Sequence, residues 1–315
     1  MSDVRLAWVF PGQGAQEVGM GRDLVEGSAA ARRVFEIADE VLGYALSHLC
    51  FEGPAEQLQL TAYAQPALFT ASLACLETAR ELGGLPEAEP AFVAGHSLGE
   101  YTALAAAGAL TLEDGLRLVR ERGRLMQAEA ERSPGAMAAL IGIDEEMART
   151  ICAETGAEVC NLNGPGQVVI GGTEEAVAGA MALALERGAQ RGVRLRVSGG
   201  FHTSMMIPAA EGMARAVAET PFADARVPVI ANTTALPLRA AADLREELVH
   251  QLTQPVQWQR SVEYLRSQGV RGVIEFGPGR VLTGLVRRID RSFGLRNVSN
   301  LEGARSRTTP APAPP

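Results

Sequence analysis

Apolar positions along the chain fall into two rhythms. Short apolar runs at 6–10, 91–95, 136–141, 158–162, 167–170, 193–197, 227–231 and 272–276 have the length of strands and stop at Gly, Pro or polar residues. Stretches at 29–42, 64–82, 98–107, 145–154, 174–187 and 281–289 space their apolar residues as helices do. Strand, tight glycine turn and helix in succession predict an α/β fold with a parallel sheet. Between 135 and 198 the order becomes strand, helix, strand, strand, helix, strand, the βαββαβ or ferredoxin-like pattern. The expected organisation is a catalytic domain made of 1–133 plus 199–300, interrupted by a small ferredoxin-like domain at 134–198, with a cleft between the two. The segment 301–315 ends in Thr309-Pro310-Ala311-Pro312-Ala313-Pro314-Pro315 and is expected as a Pro-rich flexible tail.

Composition narrows the partners. The chain has 315 residues, 29 basic and 37 acidic, for a formal charge of −8, which disfavours nucleic acid and anionic membrane as general partners. No apolar run approaches the roughly 18 residues that span a bilayer, and Met1-Ser2-Asp3 lacks a basic leader segment, so a cytoplasmic location is expected. Every basic residue is Arg, so Schiff-base or lysine general-base chemistry is excluded and an activated nucleophile must be Ser, Cys, Thr or a carboxylate. Cys50, Cys75, Cys152 and Cys160 show no C-x-x-C spacing and sit among apolar residues; they read as reduced core residues, with no metal site.

Candidate chemistry concentrates at a few positions. Gly95-His96-Ser97-Leu98-Gly99 matches G-x-S-x-G between a buried strand and a helix, where small flanking residues permit a tight turn that presents a nucleophilic serine and helix amides stabilise an oxyanion. The alternative is a plain glycine-rich turn. Ser97 needs a base. His48 and His250 lie in helical patterns and His96 adjoins the nucleophile and should pack or bond locally, whereas His202 follows a strand end and the Gly199-Gly200 turn. No carboxylate stands out as a third member. On the helical stretch around 114–131, at about 100° per residue, Arg122 falls in the middle of the apolar arc with Leu118, Val119, Gly123, Leu125 and Met126. A buried guanidinium must meet either an internal acid or a bound anion, for which its planar fork suits a carboxylate.

Phe10-Pro11-Gly12-Gln13-Gly14, Gln65-Pro66-Ala67, the serine motif with Glu100-Tyr101, Arg122-Gly123, Asn161 to Gly171, Phe201-His202, Gln254-Pro255-Val256-Gln257-Trp258 and Glu275 to Gly279 together resemble the malonyl-CoA:acyl carrier protein transacylases of fatty-acid and polyketide synthesis. The resemblance runs from about Ala7 to Ile289. It implies an α/β-hydrolase-like core with a ferredoxin-like insertion. It makes Ser97 the acyl-accepting nucleophile and His202 its base, with oxyanion amides from Gln13 and Leu98. Arg122 becomes the carboxylate clamp, Met126 lines the acyl pocket, and Gln251 matches the position whose main-chain carbonyl orients the histidine. Leu98 and Phe201 resemble members that take malonyl, where those that take methylmalonyl commonly carry Gln and Ser. Gly200-Phe201-His202-Thr203 differs from the Pro-Ser-His form of some fatty-acid enzymes and looks closer to polyketide acyltransferases, including discrete ones.

The implied reaction is a ping-pong malonyl transfer through an acyl-serine. Malonyl-CoA is the substrate, the phosphopantetheine thiol belongs to the carrier protein, and no cofactor is bound. Docking of the usually acidic carrier should use either Arg187, Arg191, Arg194 and Arg196 or Arg280, Arg287, Arg288 and Arg291. Two other functions share these motifs: an acyl hydrolase that proofreads carrier proteins, and a catalytically silent docking module.

Overall fold

A computed structural model describes residues 4–86 and 89–307. Among the described residues ten strands form two sheets: β1 (Leu6–Phe10), β2 (Phe92–Gly95), β7 (Val229–Ile230), β8 (Pro237–Leu238), β9 (Gly272–Phe276) and β10 (Gly294–Val298) in one, and β3 (Ala136–Ile141), β4 (Glu158–Gly164), β5 (Gln167–Gly172) and β6 (Arg191–Arg194) in the other. The first sheet has the order β10-β9-β1-β2-β7-β8 and is parallel except at the β7–β8 edge. Its strands β1 and β2 are apolar throughout because helices cover both faces. In β1, Leu6, Trp8 and Phe10 enter the main core while Ala7 and Val9 enter a second cluster with Trp258, Val273 and Val286, the two-residue alternation of a strand buried on both sides.

The second sheet, β4-β5-β3-β6, is antiparallel throughout and carries the helices Glu145–Thr155 and Glu174–Glu186, which gives the ferredoxin-like order expected from the sequence. One face packs on those helices around Leu140, Ile151, Ile170 and Val177, and the other contributes Met137, Ala139 and Val169 to the main core. A bridge between Asn161 and Val256 ties β4 to the segment after the helix Ala241–His250. The cleft therefore has a fixed wall on that side.

Several expectations shift. β6 covers 191–194 rather than 193–197, because the ladder with β3 runs through the exposed edge residues Arg191 to Arg194. β10 has no counterpart in the sequence reading: Gly294–Val298 alternates buried and half-buried positions around Arg296 and Asn297, so its apolar run is broken. Residues 301–305 are corrected from flexible tail to helix. Leu301–Arg305 is capped by the Asn300 side chain, buries Ala304 against the core, and is anchored by Arg296, whose Nη2 donates to the Gly303 carbonyl at 2.9 Å. The Pro-rich part of that expected tail, 308–315, lies outside the described residues.

Candidate active site

The chain turns at Ser97 in a conformation that only its neighbours make possible. β2 ends at Gly95, the helix Leu98–Ala106 begins one residue after Ser97, and Ser97 itself has φ 52° and ψ −106°. A side chain at Gly95 would place its Cβ 1.9 Å from the Gly99 carbonyl carbon, and one at Gly99 would place it 2.0 Å from the Phe10 oxygen. Strain of this kind costs on the order of 1–3 kcal/mol and persists only where the surroundings fix it. Here Asn232 and Gln251 fix it. Asn232 Oδ1 accepts from the Ser97 N–H at 2.7 Å, its Nδ2 donates to the Gly95 carbonyl at 2.7 Å, and Gln251 Nε2 donates to the Ser97 carbonyl at 2.9 Å. The N–H of Leu98, at the first position of the helix, has no intrahelical acceptor and is available to an anion.

His202 also adopts a positive φ, 61°, and is buried. Its Nε2 lies 2.7 Å from Ser97 Oγ and its Nδ1 lies 2.8 Å from the Gln251 carbonyl oxygen. A carbonyl only accepts, so Nδ1 carries the proton and Nε2 is the free base facing the hydroxyl. Burial, with the Arg122 charge second, lowers the His202 pKa to about 3, against the main-chain bond to Gln251 that raises it. The place held by an acid in Ser-His-Asp sites is taken here by a main-chain carbonyl, which explains why no carboxylate could be singled out from the sequence.

Arg122, 1 % exposed, projects from the helix Leu112–Arg132. Nη1 donates to Gln65 Oε1 at 2.9 Å, and Nη2 donates to Gln251 Oε1 at 2.9 Å and to Ser97 Oγ at 3.1 Å. The guanidinium also lies over the Tyr101 ring, 5.3 Å from its centroid. Among the described residues no carboxylate forms an ion pair with it. Of the two readings of a buried Arg left open by the sequence, the direct internal ion pair is absent among the described residues. The cation rests on neutral oxygens beside the serine.

These groups open on a cavity of about 270 Å³ between the two sheets. Gln13, Ser97, Arg122, Met126, Phe201 and His202 all lie in its wall; Leu98 and Gln251 stand behind it. Met126 Sδ accepts from Gln65 Nε2 at 3.1 Å, so the residue that receives Arg122 is itself anchored on the pocket wall. His96 reaches across the chain, with Nε2 2.8 Å from Asn163 Oδ1 and its ring against Trp258, and it lines the cavity. Gln65, Asn232 and Glu100 received no role from the sequence. The only local hint was a polar side chain embedded in an apolar stretch, as at Gln65 and Glu100.

The two arginine groups differ. In the first, Arg187 is paired with Glu154 and Arg194 with Glu174 while the exposed Arg191 and Arg196 make no ion pair with a described residue; in the second, Arg280, Arg287, Arg288 and Arg291 are all exposed and none makes an ion pair with a described residue. The latter flank the helix Val281–Ile289, whose Val281 and Leu285 form one lip of the cavity. Among the described residues no helix is long and apolar enough to cross a membrane.

Comparison with known proteins places this geometry in a family. Residues 7–306 match the acyl transferase domain. A malonyl CoA-acyl carrier protein transacylase of Bacillus subtilis is 46% identical over 303 residues, covering 95% of this chain and 94% of that protein. The crystal structure of an acyl-carrier-protein-S-malonyltransferase from Bartonella henselae aligns with a TM-score of 0.91 at 43% identity, covering 95% of this chain and 97% of that one. A malonyl-transacylase solved in complex with a type II polyketide acyl-carrier protein aligns with a TM-score of 0.91 at 40% identity, over 95% of this chain and 97% of the other.

Proposed function

The chain belongs to the acyl transferase domain family, and from that footing we propose that it moves a malonyl group from CoA to the phosphopantetheine thiol of an acyl carrier protein through an ester on Ser97. The observation that carries the reading is the juxtaposition at Ser97 Oγ of the His202 imidazole at 2.7 Å and a buried guanidinium at 3.1 Å. Ser97 Oγ attacks the thioester carbonyl carbon while its proton passes to His202 Nε2. The oxyanion is met by the N–H groups of Gln13 and Leu98. As the C–S bond breaks, His202 returns the proton to the CoA sulfur. The carrier thiol then gives its proton to His202, attacks the acyl-serine, and Ser97 leaves as the alcohol.

Arg122 holds the free carboxylate throughout. Acylation turns Oγ into an ester oxygen, which weakens it as an acceptor for Nη2 and leaves that donor to the substrate. Charge-assisted hydrogen bonds contribute about 1.5 to 3 kcal/mol each, so two of them favour malonyl over acetyl by about two orders of magnitude or more. The small domain, 134–198, supplies the apolar opposite wall through Met137, Ala139 and Val169. For the carrier, the arginines around Val281–Ile289 are the better of the two surfaces, because no internal acid among the described residues competes for any of the four, whereas Arg187 and Arg194 are already paired.

The test is direct. The protein is incubated with malonyl-CoA and its intact mass followed, in parallel with Ser97→Ala, before carrier protein or buffer is added. A malonyl increment that is absent in Ser97→Ala and moves to the carrier supports transfer. Release to water without a carrier at the same rate makes the protein a hydrolase, and no increment at all makes it a silent docking module.

A further inference from the structure

Behind the pocket sits a buried carboxylate that the mechanism above does not use. Glu100, in the first turn of the helix Leu98–Ala106, is 2 % exposed. Its Oε1 accepts from the Asn232 main-chain N–H at 3.2 Å and its Oε2 from Gln251 Nε2 at 2.5 Å. Those are the two residues whose side chains grip the Ser97 backbone, Asn232 at the N–H and Gln251 at the carbonyl. Gln251 also gives Oε1 to Arg122 and its main-chain oxygen to His202. One acid thus underlies the nucleophile's strained turn and the clamp together.

The polarity of this network runs one way. Gln251 can present Oε1 to Arg122 only while its Nε2 faces acceptors, which are the Ser97 carbonyl and Glu100. An amide at position 100 offers one acceptor where the carboxyl group offers two. Either its NH2 would meet the Asn232 N–H, donor against donor, or Gln251 would have to turn over, aiming Nε2 at the guanidinium and leaving the Ser97 carbonyl without its donor. An acid in direct contact with Arg122, by contrast, would occupy the fork that the substrate needs. Placed one amide away, Glu100 orients the fork without filling it. Burial and the Glu247 carboxylate push Glu100 well above the ordinary carboxylate range, while Gln251, Asn232 and Arg122 pull the other way.

We propose that Glu100 is a positioning residue for acyl selection, holding Asn232 and Gln251 in the one arrangement that fixes the Ser97 turn and leaves the Arg122 fork open to a carboxylate. The inference rests on the malonyl-transfer reading and assigns a determinant of its specificity.

The experiment compares kcat/KM for loading from malonyl-CoA and from acetyl-CoA in wild type, Glu100→Gln and Glu100→Asp, each counted per active site with a serine-directed fluorophosphonate so that misfolded protein drops out. The expected result is a malonyl-to-acetyl ratio reduced at least tenfold in Glu100→Gln. Glu100→Asp keeps two acceptors on a shorter stem and should fall between that variant and wild type. If Glu100→Gln does not fold, a threefold or larger drop in Glu100→Asp carries the same conclusion. A residue that merely supports the fold would lower the count of active sites and leave the ratio alone, and an unchanged ratio in the folded variants overturns the inference. A wild type with no malonyl preference overturns the functional reading itself, with this inference.

Discussion

Arg122 Nη2 lies 3.1 Å from Ser97 Oγ, so under the proposed malonyl transfer the group that recognises the acyl chain and the group that carries it touch before any substrate arrives. That contact limits what fits. A carboxylate held by Arg122 while its other end is esterified to Ser97 must belong to a short diacid, and the same charge adds to burial in lowering the His202 pKa. In the proposed mechanism the Arg122 charge therefore bears on both recognition and base strength.

The coupling has a sign that kinetics can read. His202 must be neutral to accept a proton, so activity is lost as pH falls through its pKa. With that value lowered to about 3 from an ordinary value near 6.5, kcat/KM for malonyl-CoA should show no inflection at about pH 6.5 and should decline only in more acidic solution. Rapid-quench measurement of CoA release from about pH 5 to 8 checks this, and a half-maximal point near 6.5 contradicts it.

A bound carboxylate offsets the Arg122 charge and raises the pKa of His202 in the malonyl-enzyme relative to the acetyl-enzyme. The acid limb for transfer to the carrier should therefore lie at higher pH for malonyl than for acetyl. Single-turnover deacylation of the two esters across pH reads the order; coincident limbs contradict the coupling.

Two helical glycines, one at the Ser97 turn and one outside it, predict opposite stability effects. Gly99→Ala drives a Cβ to 2.0 Å from the Phe10 oxygen and should cost more than about 3 kcal/mol. Gly284→Ala, in the helix Val281–Ile289 with no atom within 4 Å of the new carbon, should gain up to about 1 kcal/mol. Denaturant unfolding of both variants gives the comparison.

The turn also marks where the sequence was legible. The Gly95–Ser97–Gly99 spacing announces a steric requirement in three neighbouring residues, and Arg122 announces itself by standing on an apolar arc. The four-stranded sheet was readable because its elements follow one another in an unbroken βαββαβ order. Asn232, Gln65 and Glu100 were not given roles, because their meaning lies in partners far away in the chain: Asn232 meets Ser97 across 135 positions and Gln251 meets Glu100 across 151. β10 and the helix Leu301–Arg305 were missed for a related reason. Each is short and held by Arg296 and Ala304 against residues distant in sequence, so neither carries a period of its own.

Charge reversal at the cavity mouth tests the carrier surface. Arg287→Glu with Arg288→Glu should raise the carrier KM at least fivefold and steepen its dependence on salt, with a much smaller change in loading from the CoA ester. Steady-state transfer at two ionic strengths checks it; an unchanged carrier KM removes this helix from the docking surface.

The most direct measurement of the central claim is the ratio of kcat/KM for malonyl-CoA to that for acetyl-CoA in wild type and in Arg122→Ala. If the buried guanidinium selects the free carboxylate, wild type prefers malonyl by about a hundredfold or more and the variant loses that preference, loading the neutral acyl group at least as well as malonyl. A variant that is slower with both esters yet keeps the malonyl preference would contradict the account.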